Sequence, residues 1–372
     1  MAEIVMEWRS RSLSYGKLLS DSFLAYWPIL AMSCFALSVN AMVFAIYPQQ
    51  AFVPFASILK SFMLISLPFG LTLCVLARTF ELYVHVKPKY PITALWHNLR
   101  AAFTNPSYLI NGIPLLLALL LFSKASLEFK PEIPLITGFR WDETFAQLDR
   151  TLHFGIDPFR LVNFIMGYPL ITYLAGLTYS LWIMIISGIW VWVVFRRKPE
   201  LIHTRFAVAF ILTWWTGGTL LALIFSSVGP AFYSKLGLSS PDPFVDLMAG
   251  LRQLNTQLPV WALVTQDNLW AGHLGKVQPL GISAFPSMHN ASAALFFLMF
   301  RQVSKGWGRF FLGYAILIFL TSIHLGWHYA IDGYAGMIVA ALCWNLAAPI
   351  ARYIHNQPAM KRLQEGLAAL QP

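Results

Sequence analysis

The chain has 372 residues, 58% of them hydrophobic and only 11% charged, with a mean hydropathy of +0.61. Soluble domains carry about 25% charged residues, so this composition excludes one and places the chain in a membrane. The formal charge of +10 does not point to nucleic acid, because its distribution follows membrane topology.

In chain order, apolar runs predict spans near 23–47, 52–77, 108–122, 164–195, 206–228, 284–300, 310–325 and 329–350. A bilayer-crossing helix needs about 20 mostly apolar residues. The expected fold class is therefore all-α, a polytopic membrane bundle of about eight spans. Arg9, Arg11 and Lys17 precede the first run, which is too long for a signal peptide. Lys60 interrupts the second run and Pro114 the third, while Tyr168-Pro169 opens the fourth. With the N-terminus in the cytoplasm, the inner segments hold 17 Lys and Arg and the outer ones 8. This is the positive-inside pattern. Cys34, Cys74 and Cys343 lie inside apolar runs with no CxxC spacing, which suggests packing rather than a disulfide or zinc site.

The expected organisation is an N-terminal segment and two-span extension (1–107), a six-span core (108–352) and a cytoplasmic tail (353–372). Two outer loops are long enough to hold structure. In "FRWDETFAQLDRTLHFGIDPF", Trp141, Phe145, Leu148 and Leu152 recur at helical spacing, predicting an interfacial amphipathic helix. Asp142 and Asp149 fall on another face, expected to be solvated, with binding of a polyol as the alternative. The second loop, 229–283, carries Trp261 and Trp270, residues that favour the interface.

Polar groups at membrane depth are costly and mark functional sites. Two clusters stand out: Pro286-Ser287-Met288-His289, and "TSIHLGWHYAIDGYAG" with His324, His328 and Asp332. The basic turn "RQVSKGWGR" between their spans brings both to one membrane face. His328 and Asp332 share a helix face, so the carboxylate can fix one imidazole nitrogen and leave the other as base or nucleophile. His289 suits a general acid. Ser287 and the unpaired N–H groups of a helix start suit an anion such as phosphate. The same residues leave other readings open: a metal pair at His324 and His328, or proton transfer in a carrier.

"PSMH" followed by "HYAID", within "AFPSMH" and "HYAIDGYAG", resembles the second and third motifs of the type-2 phosphatidic acid phosphatase superfamily. The wider phrases, with "VGPAFY" and the first loop, look most like its inositol phosphorylceramide synthase branch, over roughly 120–350. The resemblance implies His328 as nucleophile, Asp332 as its orienting partner, His289 as proton donor to the leaving group and Ser287 in phosphate binding. It implies no metal or cofactor. This chain departs from the pattern in three ways. Met288 replaces a glycine, Thr321 and Ser322 replace Ser-Arg, and no Lys-x6-Arg-Pro motif lies on the outer side. The stabilising cation must come from elsewhere; Lys124 is the first candidate, ahead of Lys130, Arg140 and Lys276.

The expected function is a metal-independent lipid phosphotransferase. It would move a phosphate-linked head group from a phospholipid donor to a lipid or polyol acceptor through a phosphohistidine. A lipid phosphate phosphatase is the main alternative and a proton-coupled carrier the lesser one. The expected setting is a bacterial inner membrane with a periplasmic site, or the Golgi with a lumenal one, and no nucleic-acid partner.

Overall fold

A computed structural model describes residues 2–47, 52–238 and 242–370. Regular structure among the described residues is helical, without strands. The first half comprises α1 (Ala2–Ala25), α2 (Trp27–Phe44), α3 (Phe55–Val86), α4 (Pro91–Thr104), α5 (Ser107–Thr137), α6 (Asp142–Leu152) and α7 (Pro158–Met166). There follow α8 (Pro169–Val194), α9 (Leu201–Ile224), α10 (Val245–Asn255), α11 (Trp261–His273), α12 (Met288–Val303), α13 (Lys305–His324), α14 (Ala330–Asn356) and α15 (Pro358–Ala369).

Seven of the described helices (α2, α3, α5, α8, α9, α13 and α14) are long and apolar enough to cross a membrane. The protein is an integral membrane protein. The span expected at 284–300 is instead a 16-residue helix, α12, entered through extended residues. At 1.5 Å per residue it reaches about 24 Å, short of a hydrocarbon core of about 30 Å. Two other spans run longer than expected. Arg78 pairs with Glu81 at 2.7 Å within α3, and Lys124 pairs with Glu128 within α5. Such pairs let a helix continue past the end of its apolar run.

Within their apolar windows α2 and α3 are only 22% and 17% buried, against 39–50% for the other five. These two therefore lie at the edge of the bundle. A polar ladder fastens α2 to α5. Tyr26 Oη donates to Asn111 Oδ1 at 2.9 Å, Ser33 Oγ to the Ala118 carbonyl at 2.8 Å, and Asn40 Nδ2 to the Ala125 carbonyl at 2.8 Å. Donors and acceptors both advance by seven residues, two turns of each helix. Lipid offers these groups no water, and such interhelical bonds average about 0.6 kcal/mol. Asn40→Leu should weaken α2–α5 packing by about that amount without loss of turnover, as read by thermal unfolding of the purified protein in detergent.

At the other side of the bundle α12 packs between α13 and α14, and α9 lies along α14. Gly336 permits the closest of these approaches, because a Cβ there would overlap the Ser287 carbonyl. Gly336→Ala should therefore push α14 from the first turn of α12 and cost about 1–3 kcal/mol, as overpacking does, measurable as a lowered unfolding midpoint.

Candidate active site

The first turn of α12 is built on Ser287. Its Oγ accepts from the Asn290 backbone N–H at 3.4 Å and from Asn290 Nδ2 at 2.9 Å, capping the helix. The Ser287 N–H donates to the Asp332 carbonyl at 2.9 Å. The two sequence clusters are thus joined backbone to backbone at one end of the bundle. Ser287 is fully buried with its hydroxyl engaged, so it shapes the turn. The N–H groups of Met288 and His289, in that same turn, have no acceptor inside the helix and keep the turn suited to an anion.

The imidazoles of His289 and His328 face each other with centroids 6.1 Å apart. His289 lies between the rings of Tyr179, at 4.4 Å, and Trp182, at 4.2 Å, which fix its plane. Asp332 Oδ2 lies 3.3 Å from His328 Nδ1 and accepts from the Tyr329 N–H at 3.0 Å. Asp332 Oδ1 is buried without a partner. A 3.3 Å separation is longer than a charge-assisted bond of about 2.7–2.9 Å, and catalytic contacts commonly tighten when substrate binds. Burial pushes the His328 imidazole down to about 3. The ring is therefore neutral at any physiological pH, the state a nucleophile requires.

An interfacial helix holds this turn in place. Asp149 of α6 accepts from the N–H groups of Ala330, at 2.6 Å, and Ile331, at 2.8 Å. It caps α14 from a different helix, at the positive end of that helix's dipole. One heptad earlier, Asp142 accepts from Val228 N–H, Gly229 N–H at 3.0 Å and Tyr329 Oη at 2.9 Å. The two carboxylates are 1% and 4% exposed, so the solvated face and the polyol site expected of them are both replaced by a structural clamp. The amphipathic pattern located the apolar face of α6 but not the backbone donors facing the other. Burial raises both carboxyls above the usual range, opposed by those N–H bonds.

The cations are sorted by their partners. Lys124 donates to the Val53 carbonyl at 2.9 Å and to Glu128; it ties α5 to the segment before α3 and is not the free cation the sequence suggested. Lys124→Ala is expected to leave turnover unchanged. Lys130, six residues on, has no ion pair among the described residues, and its charge acts on both His289 and His328. Its side chain is exposed. Gly281 packs against the Lys130 backbone and opens the strand-like segment leading to Ala284, whose carbonyl contacts the His328 imidazole. His324 is no partner to His328, because Asn163 Oδ1 and Thr172 Oγ1 take its two nitrogens at 2.6 and 2.9 Å.

Residues 143–346, which contain both histidines and Asp149, match the family model described as the PAP2 superfamily. The chain belongs to the PAP2 superfamily. No curated protein and no solved structure matches it. PAP2 membership implies lipid phosphatase or phosphotransferase activity in general. The PAP2 region contains the two histidine motifs and all of α6 but its first residue, Asp142. Lys130 lies outside it, upstream, and carried no motif by which a PAP2 pattern would have singled it out.

Proposed function

We propose that the protein is a lipid phosphotransferase of the inositol phosphorylceramide synthase-like type. It transfers a phosphate-linked head group from a phospholipid to a lipid or polyol alcohol. The observation that carries this reading is the pair of imidazoles 6.1 Å apart at the first turn of α12, one of them held by a carboxylate.

In the first half-reaction the His328 nitrogen not held by Asp332 attacks phosphorus. The bond from phosphorus to the diacylglycerol oxygen breaks, and His289, which takes up a proton as the anionic substrate binds, protonates that oxygen. Asp332 holds the Nδ1 proton and stabilises the positive charge on His328. In the second half-reaction the acceptor hydroxyl gives its proton to His289 and its oxygen attacks phosphorus. The P–N bond then breaks and His328 is restored. Lys130 and the first-turn N–H groups of α12 meet the charge that develops on the equatorial oxygens. One ammonium, in place of the lysine and two arginines of the phosphatase motifs, suits a phosphodiester with one negative charge better than a monoester with nearly two. We assign the reaction to residues 108–352 and to the periplasmic face of a bacterial inner membrane, in keeping with the charge asymmetry of the loops.

The test is lipid mass spectrometry on protein in nanodiscs holding mixed phospholipids and candidate alcohols. A new phosphodiester and diacylglycerol that appear only with an acceptor support transfer. Free phosphate released from a lipid monophosphate without one would make it a phosphatase. Lys130→Ala should lower kcat by about 10²–10³-fold, the range for removing one transition-state donor, and Lys130→Arg should recover part of it.

A further inference from the structure

A groove of about 570 Å3 opens where α5 gives way to α6, against the end of α9. Its position marks it as a membrane-edge feature. Ile224, which ends the apolar span α9, is 51% exposed, and Trp141 donates its indole N–H to the Ile224 carbonyl at 3.0 Å. Tryptophan favours this depth. One wall, Leu223 and Ile224, is apolar; the other carries Arg140, Thr144 and Ser226.

The polar wall carries two uncommitted groups among the described residues. The Arg140 main chain is pinned by its N–H to the Ser226 carbonyl at 3.2 Å, while its guanidinium is exposed and has no ion pair among the described residues. The Ser226 hydroxyl is 1% exposed and unpartnered. A guanidinium at a bilayer surface pairs with phosphate in a two-pronged geometry that no other side chain matches.

The groove is distinct from the reacting centre. A partition of stacked rings stands between groove and catalytic turn: Trp141 on Phe145 at 5.7 Å and Phe145 on Phe285 at 4.7 Å. The groove is nevertheless linked to that turn. Trp141 precedes Asp142, Asp142 binds the Gly229 N–H, and Gly229 packs against the Trp327 carbonyl beside His328.

We propose that this groove is an accessory site for an anionic phospholipid, with its phosphate on Arg140 and Ser226 and its acyl chains along Leu223 and Ile224. The lipid is bound and not consumed, and it steadies the α6 clamp from outside. The experiment is native mass spectrometry of delipidated full-length protein titrated with phosphatidylglycerol or phosphatidylcholine. A His328→Ala background prevents turnover, so binding is read even if the proposed reaction is wrong. Phosphatidylglycerol should be retained about tenfold more strongly, a difference of about 1.4 kcal/mol. Arg140→Ala should erase that preference and Arg140→Lys should keep part of it. Equal retention of the two lipids, or an Arg140→Ala protein that retains phosphatidylglycerol like its parent, would overturn the proposal. So would displacement of the lipid by inorganic phosphate alone, which would identify a free-anion site.

Discussion

Replacing His328 with alanine is expected to reduce turnover by at least about 10³-fold, since loss of a nucleophile removes the covalent route entirely. The neighbouring substitution separates this from general damage. His289→Ala leaves the nucleophile and its Asp332 partner intact, so it should slow both half-reactions by about 10²–10⁴-fold, the range for a general acid–base group. Labelled head group trapped on acid-labile histidine is the direct readout: present in wild type, absent in His328→Ala. If His328→Ala turned over normally, the phosphohistidine mechanism would be wrong whatever the family. The pH profile adds a sign. His328 is held neutral by burial, with its pKa at about 3. Loss of activity on acidification should therefore not follow an ordinary histidine titration near 6.5 on account of the nucleophile.

The second large effect is expected at Asp149, which touches no reacting atom. Asp149→Ala strands the N–H groups of Ala330 and Ile331, both at the start of the helix that carries Asp332. An orphaned buried donor costs about 1–3 kcal/mol, so the pair should cost on the order of 2–4 kcal/mol. The turn bearing His328 should shift with it, lowering kcat more than it raises KM. Asp149→Asn keeps one acceptor oxygen but turns an NH2 toward the other N–H, and should fall between. Thr151→Ala, on the exposed side of α6, is the control and should change neither. The pH dependence follows from the raised carboxyl of Asp149. A group whose pKa is higher folded than unfolded binds its proton more readily in the native state, so its ionisation costs stability as pH rises through the folded value. The stability of wild type relative to Asp149→Asn should accordingly improve as pH is lowered from neutral toward the usual carboxylate range. The kcat advantage conferred by the ionised clamp should shrink over the same interval.

Much was legible because membrane depth makes residue choice severe. A bilayer tolerates few polar side chains, so Ser287, His289, His328 and Asp332 stood out from an apolar background. The short basic turn between α12 and α13 required their clusters to share one end of the bundle. Span lengths were less legible. Hydropathy read Lys124 and Glu128 as the end of a helix, although as an i, i+4 pair they continue it.

What the sequence by itself determined was the class of protein and the polar residues that meet at one end of the bundle. The tertiary structure alone decided which groups serve them. Lys124 and Lys130 are six residues apart on one element; one helical turn gives the first to Glu128, and only packing sets the Lys130 backbone against Gly281, on the segment that leads to the active-site turn. Asp142 and Asp149 look like a solvated helix face until Val228, Gly229, Ala330 and Ile331 turn their N–H groups toward them. The physical reason is common to Lys130 and the two aspartates. A role set by a neighbour far away in sequence, here the 281–284 segment and the backbone groups at 228–229 and 330–331, is one that no local pattern encodes.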